Sequence, residues 1–225
     1  MVLADPPYGD TSLDWDIRDS AWLAFSEPTL KTTGSVWCFG SLRMFMAQAT
    51  DFAASWRIAQ DVIWEKHNGS GLHADRFKRV HEHAVQFYRK DAAWETIYKQ
   101  PVMTLDATAR EMRRKRRPTH TGNINAKTYV SHDGGPRLMR SVIYVRSCHG
   151  DADHPTQKPL GILRPLIEFS CPLGGTLIDP TMGAGSALVA AKELGRRAVG
   201  IEIQERNCEV AAKRLAQETL LLAGL

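Results

Sequence analysis

Apolar runs of strand length alternate with segments of helical period along most of this 225-residue chain, and that alternation limits the fold more than any other feature. The second half carries the clearest series. Leu160, Leu163, Ile167 and Cys171 recur at helical spacing, and Gly175–Ile178 reads as a strand. Ala184–Leu194 reads as a helix of small apolar residues, Ala198–Ile203 as a strand and Glu205–Leu222 as a final helix. Earlier in the chain, Met1–Ala4 reads as the end of a buried strand and part of Ile17–Leu30 as a helix. Ser35–Phe39 has strand length, Leu42–Ala54 is helical, and Trp56–Glu65 and His83–Arg89 are strand-like. Strands alternating with helices predict a doubly wound, mostly parallel α/β sheet. Residues 1–91 and 151–225 are expected to be two halves of one such domain. The polar, basic stretch 92–150, punctuated by Gly122, Gly134, Gly135 and Gly150, is expected to be an insertion that leaves the sheet.

The segment Thr176-Leu177-Ile178-Asp179-Pro180-Thr181-Met182-Gly183-Ala184-Gly185-Ser186 runs from strand through glycine loop into helix. Loops at the carboxyl ends of such strands bind ligands. A phosphate-binding P-loop would need a Lys after the glycines, and a dinucleotide loop would need a third Gly where Leu188 stands. A carboxylate ahead of the loop also suits a pyrophosphate poorly. Asp179 fits better beside the cationic, phosphate-free methionine part of S-adenosylmethionine (AdoMet). Glu202, about one βαβ step later, can accept hydrogen bonds from ribose hydroxyls. The competing reading is a tight turn with no ligand.

Asp5-Pro6-Pro7-Tyr8 follows the first strand directly. Two prolines remove two backbone donors and fix two φ angles, leaving carbonyls free to accept. A carboxylate and a neighbouring carbonyl, those of Asp5 and Pro6, can then take both hydrogens of one amino group. An exocyclic amine conjugated into a base is a poor nucleophile, and such acceptors favour a pyramidal nitrogen and stabilise the positive charge that develops on it. Tyr8 offers a face for stacking a base that has left its duplex. The alternative is a Pro-Pro turn that closes a strand, with Asp5 as an incidental cap.

Six of the eight residues Arg110–Arg117 are basic, opposed only by Glu111, within a chain of formal net charge +4. Such a run favours an anionic partner over a merely solvated face. Arg113, Arg114, Lys115, Arg116, Arg117, His120, Asn123 and Asn125 are candidates for contacts to phosphates or base edges. The scattered cysteines Cys38, Cys148, Cys171 and Cys208 argue against a disulfide framework or a zinc ribbon. His81 and His83, two apart in a strand, share a face, but no third ligand is apparent and no metal is expected. Trp15 and Asp16 are candidates to line the pocket. No apolar run is long enough to cross a bilayer and the N-terminal segment is too short for a signal peptide, so a cytoplasmic location without membrane contact is expected.

Together these residues resemble the DNA amino-methyltransferases, in particular the circularly permuted β class, whose order is DPPY, a recognition insertion, a lysine–proline motif and a DPxxGxG loop. Asp5–Tyr8 matches the first, His154-Pro155-Thr156-Gln157-Lys158-Pro159 the third, and the loop from Asp179, Pro180 and Thr181 through Gly183 and Gly185 to Ser186 the last. Trp64-Glu65-Lys66-His67 and Arg76–His83 look like the family's middle motifs. The loop departs from the family in carrying Thr181-Met182 where an aromatic residue more often follows DP. The resemblance implies a permuted, Rossmann-like class I methyltransferase fold that transfers methyl from AdoMet to adenine N6 in duplex DNA, with S-adenosylhomocysteine as product. It implies that Thr156 and Lys158 contact the methionine carboxylate, that Asp179 lies near the methionine amine with Asp5 bordering the same pocket, and that Glu202 holds the ribose. Asp in DPPY favours adenine, whereas Ser is commoner for cytosine N4. A single short insertion suggests a homodimer on DNA. A cytosine-N4 or RNA enzyme of the same fold, or a non-catalytic DNA-binding relic, are the alternatives.

Overall fold

The structure, a computed structural model, describes residues 1–10, 14, 16–70, 74–112, 129–148 and 157–217. In chain order its strands and helices are β1 (Val2–Ala4), α1 (Ala21–Thr29), β2 (Val36–Gly40), α2 (Leu42–Ala47), α3 (Ala49–Ser55), β3 (Trp56–Ser70) and β4 (Arg79–Arg89). There follow β5 (Met103–Thr104), β6 (Arg110–Met112), β7 (Tyr129–Ser131), β8 (Arg137–Leu138) and β9 (Val142–Tyr144). The chain ends with α4 (Leu160–Ser170), β10 (Thr176–Asp179), α5 (Ser186–Glu193), β11 (Arg197–Gly200) and α6 (Glu205–Ala216). Two compact units result: Met1–Gln100 with Ser141–Leu225, and Pro101–Arg140.

The first unit is built on a seven-stranded sheet of order β11-β10-β1-β2-β4-β3-β9. β11, β10, β1 and β2 run parallel, β4 is antiparallel to both β2 and β3, and β9 is parallel to β3. Side chains alternate between the two faces with the strand period. Leu3, Trp37, Phe39 and Ala84 point into a core with Ile162, Leu163 and Ile167 of α4 and Ala187, Ala190 and Ala191 of α5. Val2, Ala4, Val36, Cys38, Val85 and Phe87 point into another with Trp22 of α1, Met44 of α2 and Phe52 of α3. Both faces are therefore covered, which is why β1 and β2 are apolar throughout rather than alternating. Burying each large side chain contributes roughly 1.5–3 kcal/mol.

Several boundaries differ from the sequence expectation. Leu42–Ala54 is two helices, because Gln48 leaves helical geometry with φ −104° and ψ 15°. β11 stops at Gly200, because its partner β10 ends at the paired residue Asp179, so Glu202 sits on the following loop rather than on the strand. β4 begins at Arg79 instead of His83, because β3 and β4 pair far beyond the rest of the sheet. β9 comes from within the polar stretch 92–150 and joins the main sheet beside β3.

The second unit contains two antiparallel ribbons, β5 with β8 and β6 with β7. Turn bonds support them: Ala107 N–H donates to the Gly135 carbonyl at 3.1 Å, and Gly134 N–H to the Ala107 carbonyl at 2.9 Å. Arg137 Nε donates to Asp106 at 2.7 Å, and the pairing lowers the Asp106 carboxyl to about 2. Arg113, Arg114, Lys115, Arg116, Arg117, His120, Asn123 and Asn125 lie outside the described residues.

Candidate active site

β1 and β10 are parallel neighbours, in register at Val2 and Ile178, so the loops that leave their carboxyl ends emerge side by side. Asp5-Pro6-Pro7-Tyr8 leaves β1, and Asp179-Pro180-Thr181 leaves β10. The two loops are joined directly: Asp5 N–H donates to Thr181 Oγ at 3.3 Å. They open onto one cavity of about 690 Å³ that Asp5, Pro7, Lys158, Asp179, Pro180, Thr181, Gly183, Ser186 and Glu202 all line. Pro6 is buried and outside that lining. Thr156 and Trp15 lie outside the described residues.

Polar contacts hold the first loop in place. Tyr8 Oη donates to Asp5 Oδ1 at 2.5 Å. Burial, with Asp5 and Glu82 nearby, pushes the Tyr8 phenol well above its ordinary range, so it stays a donor. Arg18 grips the Tyr8 carbonyl with Nε at 3.0 Å and a second guanidinium nitrogen at 2.9 Å. Asp16 accepts from the backbone N–H groups of Gly9 at 2.9 Å and Asp10 at 3.0 Å. The prolines cannot donate, so side chains that arrive from farther along the chain close this turn.

The second loop turns on glycines that adopt left-handed backbone, Gly183 at φ 49° and Gly185 at φ 75°. At Gly185 a Cβ would also meet Ala211 Cβ at 2.8 Å, which lets α6 pack closely against the start of α5. Glu202 accepts from Gly183 N–H at 3.0 Å and from Gln204 N–H at 2.8 Å, which ties the loop after β11 to the glycine turn. Each oxygen of that carboxylate keeps a further lone pair. Asp179 is buried and accepts from Thr181 N–H at 3.0 Å. Burial raises its carboxyl to about 7 against the pull of that N–H, and Asp5 and Glu202 add to the rise. A buried carboxyl of this kind favours a cationic neighbour.

Lys158 occupies the centre. It is buried, its Nζ donates to Asp5 Oδ2 at 2.5 Å and lies 3.3 Å from Glu82 Oε2. The rings of Phe39, Tyr8 and Trp64 surround the ammonium at 5.2, 5.7 and 5.9 Å from their centroids. Burial alone would lower the Lys158 pKa, but Asp5 and Glu82 hold it above its ordinary value. Glu82 in turn bonds Lys66 through Oε1. Burial would raise its carboxyl, yet Lys158 and Lys66 keep it below the usual range. Sequence reasoning missed Arg18, Lys66 and Glu82 as parts of the site. The signal for Lys66 and Glu82 was only that they stood in the two stretches that look like the family's middle motifs, Glu82 between His81 and His83. Those two rings lie 5.4 Å apart, and His83 is 3.8 Å from Asp61. Among the described residues no group of three or more His, Cys, Asp or Glu side chains could hold a metal ion, and no helix is long and apolar enough to cross a membrane.

The chain is similar to several known proteins. Residues 1–213 match the N6/N4 methyltransferase family model, described as DNA methylase. The chain is 27% identical to the Type II methyltransferase M2.DpnII of Streptococcus pneumoniae, over 97% of this chain and 82% of that protein. It is 28% identical to the Type II methyltransferase M.HinfI of Haemophilus influenzae over 91% of this chain, but spans only 52% of that longer relative. The fold matches the M1.HpyAVI–SAM complex with a TM-score of 0.61 at 24% identity, covering 95% of this chain and 87% of that one. It also matches the cytosine-N4-specific PvuII DNA methyltransferase with a TM-score of 0.64 at 11% identity, covering 97% and 80%. A family match across nearly the whole chain, on a doubly wound sheet whose two motif loops share a cavity, places this protein in the DNA methylase family.

Proposed function

We propose that this protein is a site-specific DNA adenine methyltransferase, acting on N6 of an adenine extruded from the duplex. One observation carries the reading: Asp5 and Asp179, 174 positions apart in sequence, border a single cavity and their loops are hydrogen-bonded through Thr181. AdoMet, when bound, supplies a methyl sulfonium as electrophile and leaves as S-adenosylhomocysteine. The residues fit such a donor. A cavity of about 690 Å³ suits a small molecule of that size. Asp179, buried and raised to about 7, is suited to a cationic group, and Glu202 keeps lone pairs for ribose hydroxyls. Thr156 would face the methionine carboxylate, whereas the Lys158 ammonium, expected from the resemblance to do the same, is taken up by Asp5 and Glu82.

On the substrate side, Asp5 and the Pro6 carbonyl accept the amine hydrogens and stabilise charge as it develops on nitrogen. Tyr8 supplies a face for the flipped base. Holding both partners in one cavity turns a bimolecular displacement into a positioned one. The unit Pro101–Arg140, with its basic run, is the proposed recognition element for double-stranded DNA, acting in the cytoplasm. The Type II names of both relatives accord with a modification role at a defined site. A homodimer would let two such units grip a symmetric sequence. A monomer by size exclusion with light scattering, both free and on DNA, would refute that arrangement.

The decisive experiment incubates purified protein with duplex DNA, RNA and labelled AdoMet, then identifies methylated nucleosides by mass spectrometry. N6-methyladenine in DNA is expected. N4-methylcytosine, label only in RNA, or DNA binding without any transfer would each reject the reading.

A further inference from the structure

Both oxygens of the Asp5 carboxylate already hold a donor: Oδ1 accepts from Tyr8 at 2.5 Å and Oδ2 from Lys158 at 2.5 Å. Each oxygen keeps a further lone pair, but an ammonium at 2.5 Å offsets the negative charge with which Asp5 would activate an amine. The Lys158 ammonium has somewhere else to go. Glu82 Oε2 is buried and already pairs with the same Nζ at 3.3 Å, though without a well-formed hydrogen bond, while Oε1 of the same carboxylate is fixed by Lys66. A buried carboxylate oxygen without a well-formed hydrogen bond is costly, and closer approach of the shared cation would relieve it. Elements far apart in the chain build the arrangement: Glu82 and Lys66 come from the paired strands β4 and β3, and Lys158 precedes α4.

We propose that Glu82 is a positioning residue for methyl transfer: it gives the Lys158 ammonium a second seat, so that Asp5 Oδ2 is released to accept the target amine. The inference rests on the methyltransferase reading above. Lys158 moves its charge from one carboxylate to another inside the cage formed by Phe39, Tyr8 and Trp64, and no charge is exposed to or drawn from solvent. Lys66 anchors Glu82 so that Oε2 stays aimed at Lys158. Glu82 itself touches neither the amine nor the methyl donor.

The test measures kcat at saturating AdoMet and DNA, together with AdoMet Kd, for wild type and Glu82→Gln, in the native and the Lys158→Met backgrounds. Without the Glu82 charge, Lys158 stays on Asp5. Glu82→Gln should therefore lower kcat roughly 10- to 100-fold with AdoMet Kd within about threefold. In the Lys158→Met background the same change should alter kcat by no more than about twofold, because the intermediary is gone. A Glu82→Gln protein with wild-type kcat, or an equal loss in both backgrounds, overturns the inference. If Glu82→Gln does not fold, Glu82→Asp replaces it. That variant keeps the charge but is one methylene shorter, so a reduced kcat at unchanged AdoMet Kd supports the inference and a wild-type kcat overturns it. Wild-type protein that transfers no methyl at all overturns the proposed function and this inference with it. Active wild type beside an equally active Glu82→Gln overturns this inference alone.

Discussion

The two units of the chain are organised by different forces. In the unit Met1–Gln100 with Ser141–Leu225, apolar side chains on both faces of a seven-stranded sheet fix the strand ends, and the strand ends fix the site. Among the described residues of Pro101–Arg140 the elements are two- and three-residue strand pairs, and Ala107 is the only buried apolar side chain. Charge divides the same way. Pro101–Arg140 carries nine Lys and Arg against three Asp and Glu, and the rest of the chain twenty against twenty-two. One unit concentrates its apolar residues in a frame around the site; the other carries the excess of basic residues proposed above to meet DNA. On the proposed function, reaction and target choice would fall to different parts of the chain.

The hardest test of that division is Asp5→Ala. It should lower kcat roughly 10²–10³-fold or more while AdoMet Kd, by equilibrium binding, stays within a few-fold, because the side chain serves the substrate amine. Retained transfer would break the catalytic half of the comparison. Replacing Arg113, Arg114, Arg116 and Arg117 together by Ala should instead act on DNA alone. Affinity should fall on the order of 10- to 100-fold, and the dependence of log K on log salt should flatten by about 3–4. AdoMet Kd and the thermal midpoint should not move. An unchanged salt slope would remove the basic run from the DNA interface.

Glu202→Ala sharpens the comparison within the first unit. It should raise AdoMet Kd about tenfold, through the loss of ribose contacts and of the bond that steadies Gly183, with kcat at saturation changed only a few-fold. The smallest effect concerns Asp179 and pH. Its folded carboxyl titrates at about 7 against an ordinary value of 3.8, so the free protein binds an extra proton between those limits. Folding stability of the free protein therefore falls as pH rises from about 4 to 7, since the unfolded chain has already released that proton. Binding of a cationic donor requires the ionised form. AdoMet Kd should thus decrease several-fold between pH 6 and 7 and then level off, and Asp179→Asn should flatten that dependence. A pH-independent wild-type Kd would remove Asp179 from the donor's cationic side.

Much of the frame was legible in the chain itself. Leu160, Leu163 and Ile167 fall on the buried side of α4, and the apolar runs around Val2 and Val36 are central parallel strands, because burial on two faces demands continuous hydrophobicity. The motif loops were legible because their chemistry is local: prolines that remove donors, glycines at positive φ, carboxylates at strand ends. Legibility stopped where partners are distant. The break at Gln48 left no glycine or proline as a marker, and Glu202 looked like a strand end although β11 stops at Gly200. In the sequence Glu82 is one member of a motif-like stretch, between two histidines, and only its neighbours in space reveal a buried ion pair.

Sequence by itself determined most strands and helices of the main sheet and which residues stand on its two motif loops, since periodicity, proline and glycine act over a few neighbouring positions. Only the tertiary structure decided that Lys158 sits on Asp5, 153 residues away, and is shared with Glu82. That choice depends on the order in which β10, β1, β2 and β4 pair across the sheet, and strand order is set by the packing of both cores together, not by any local pattern.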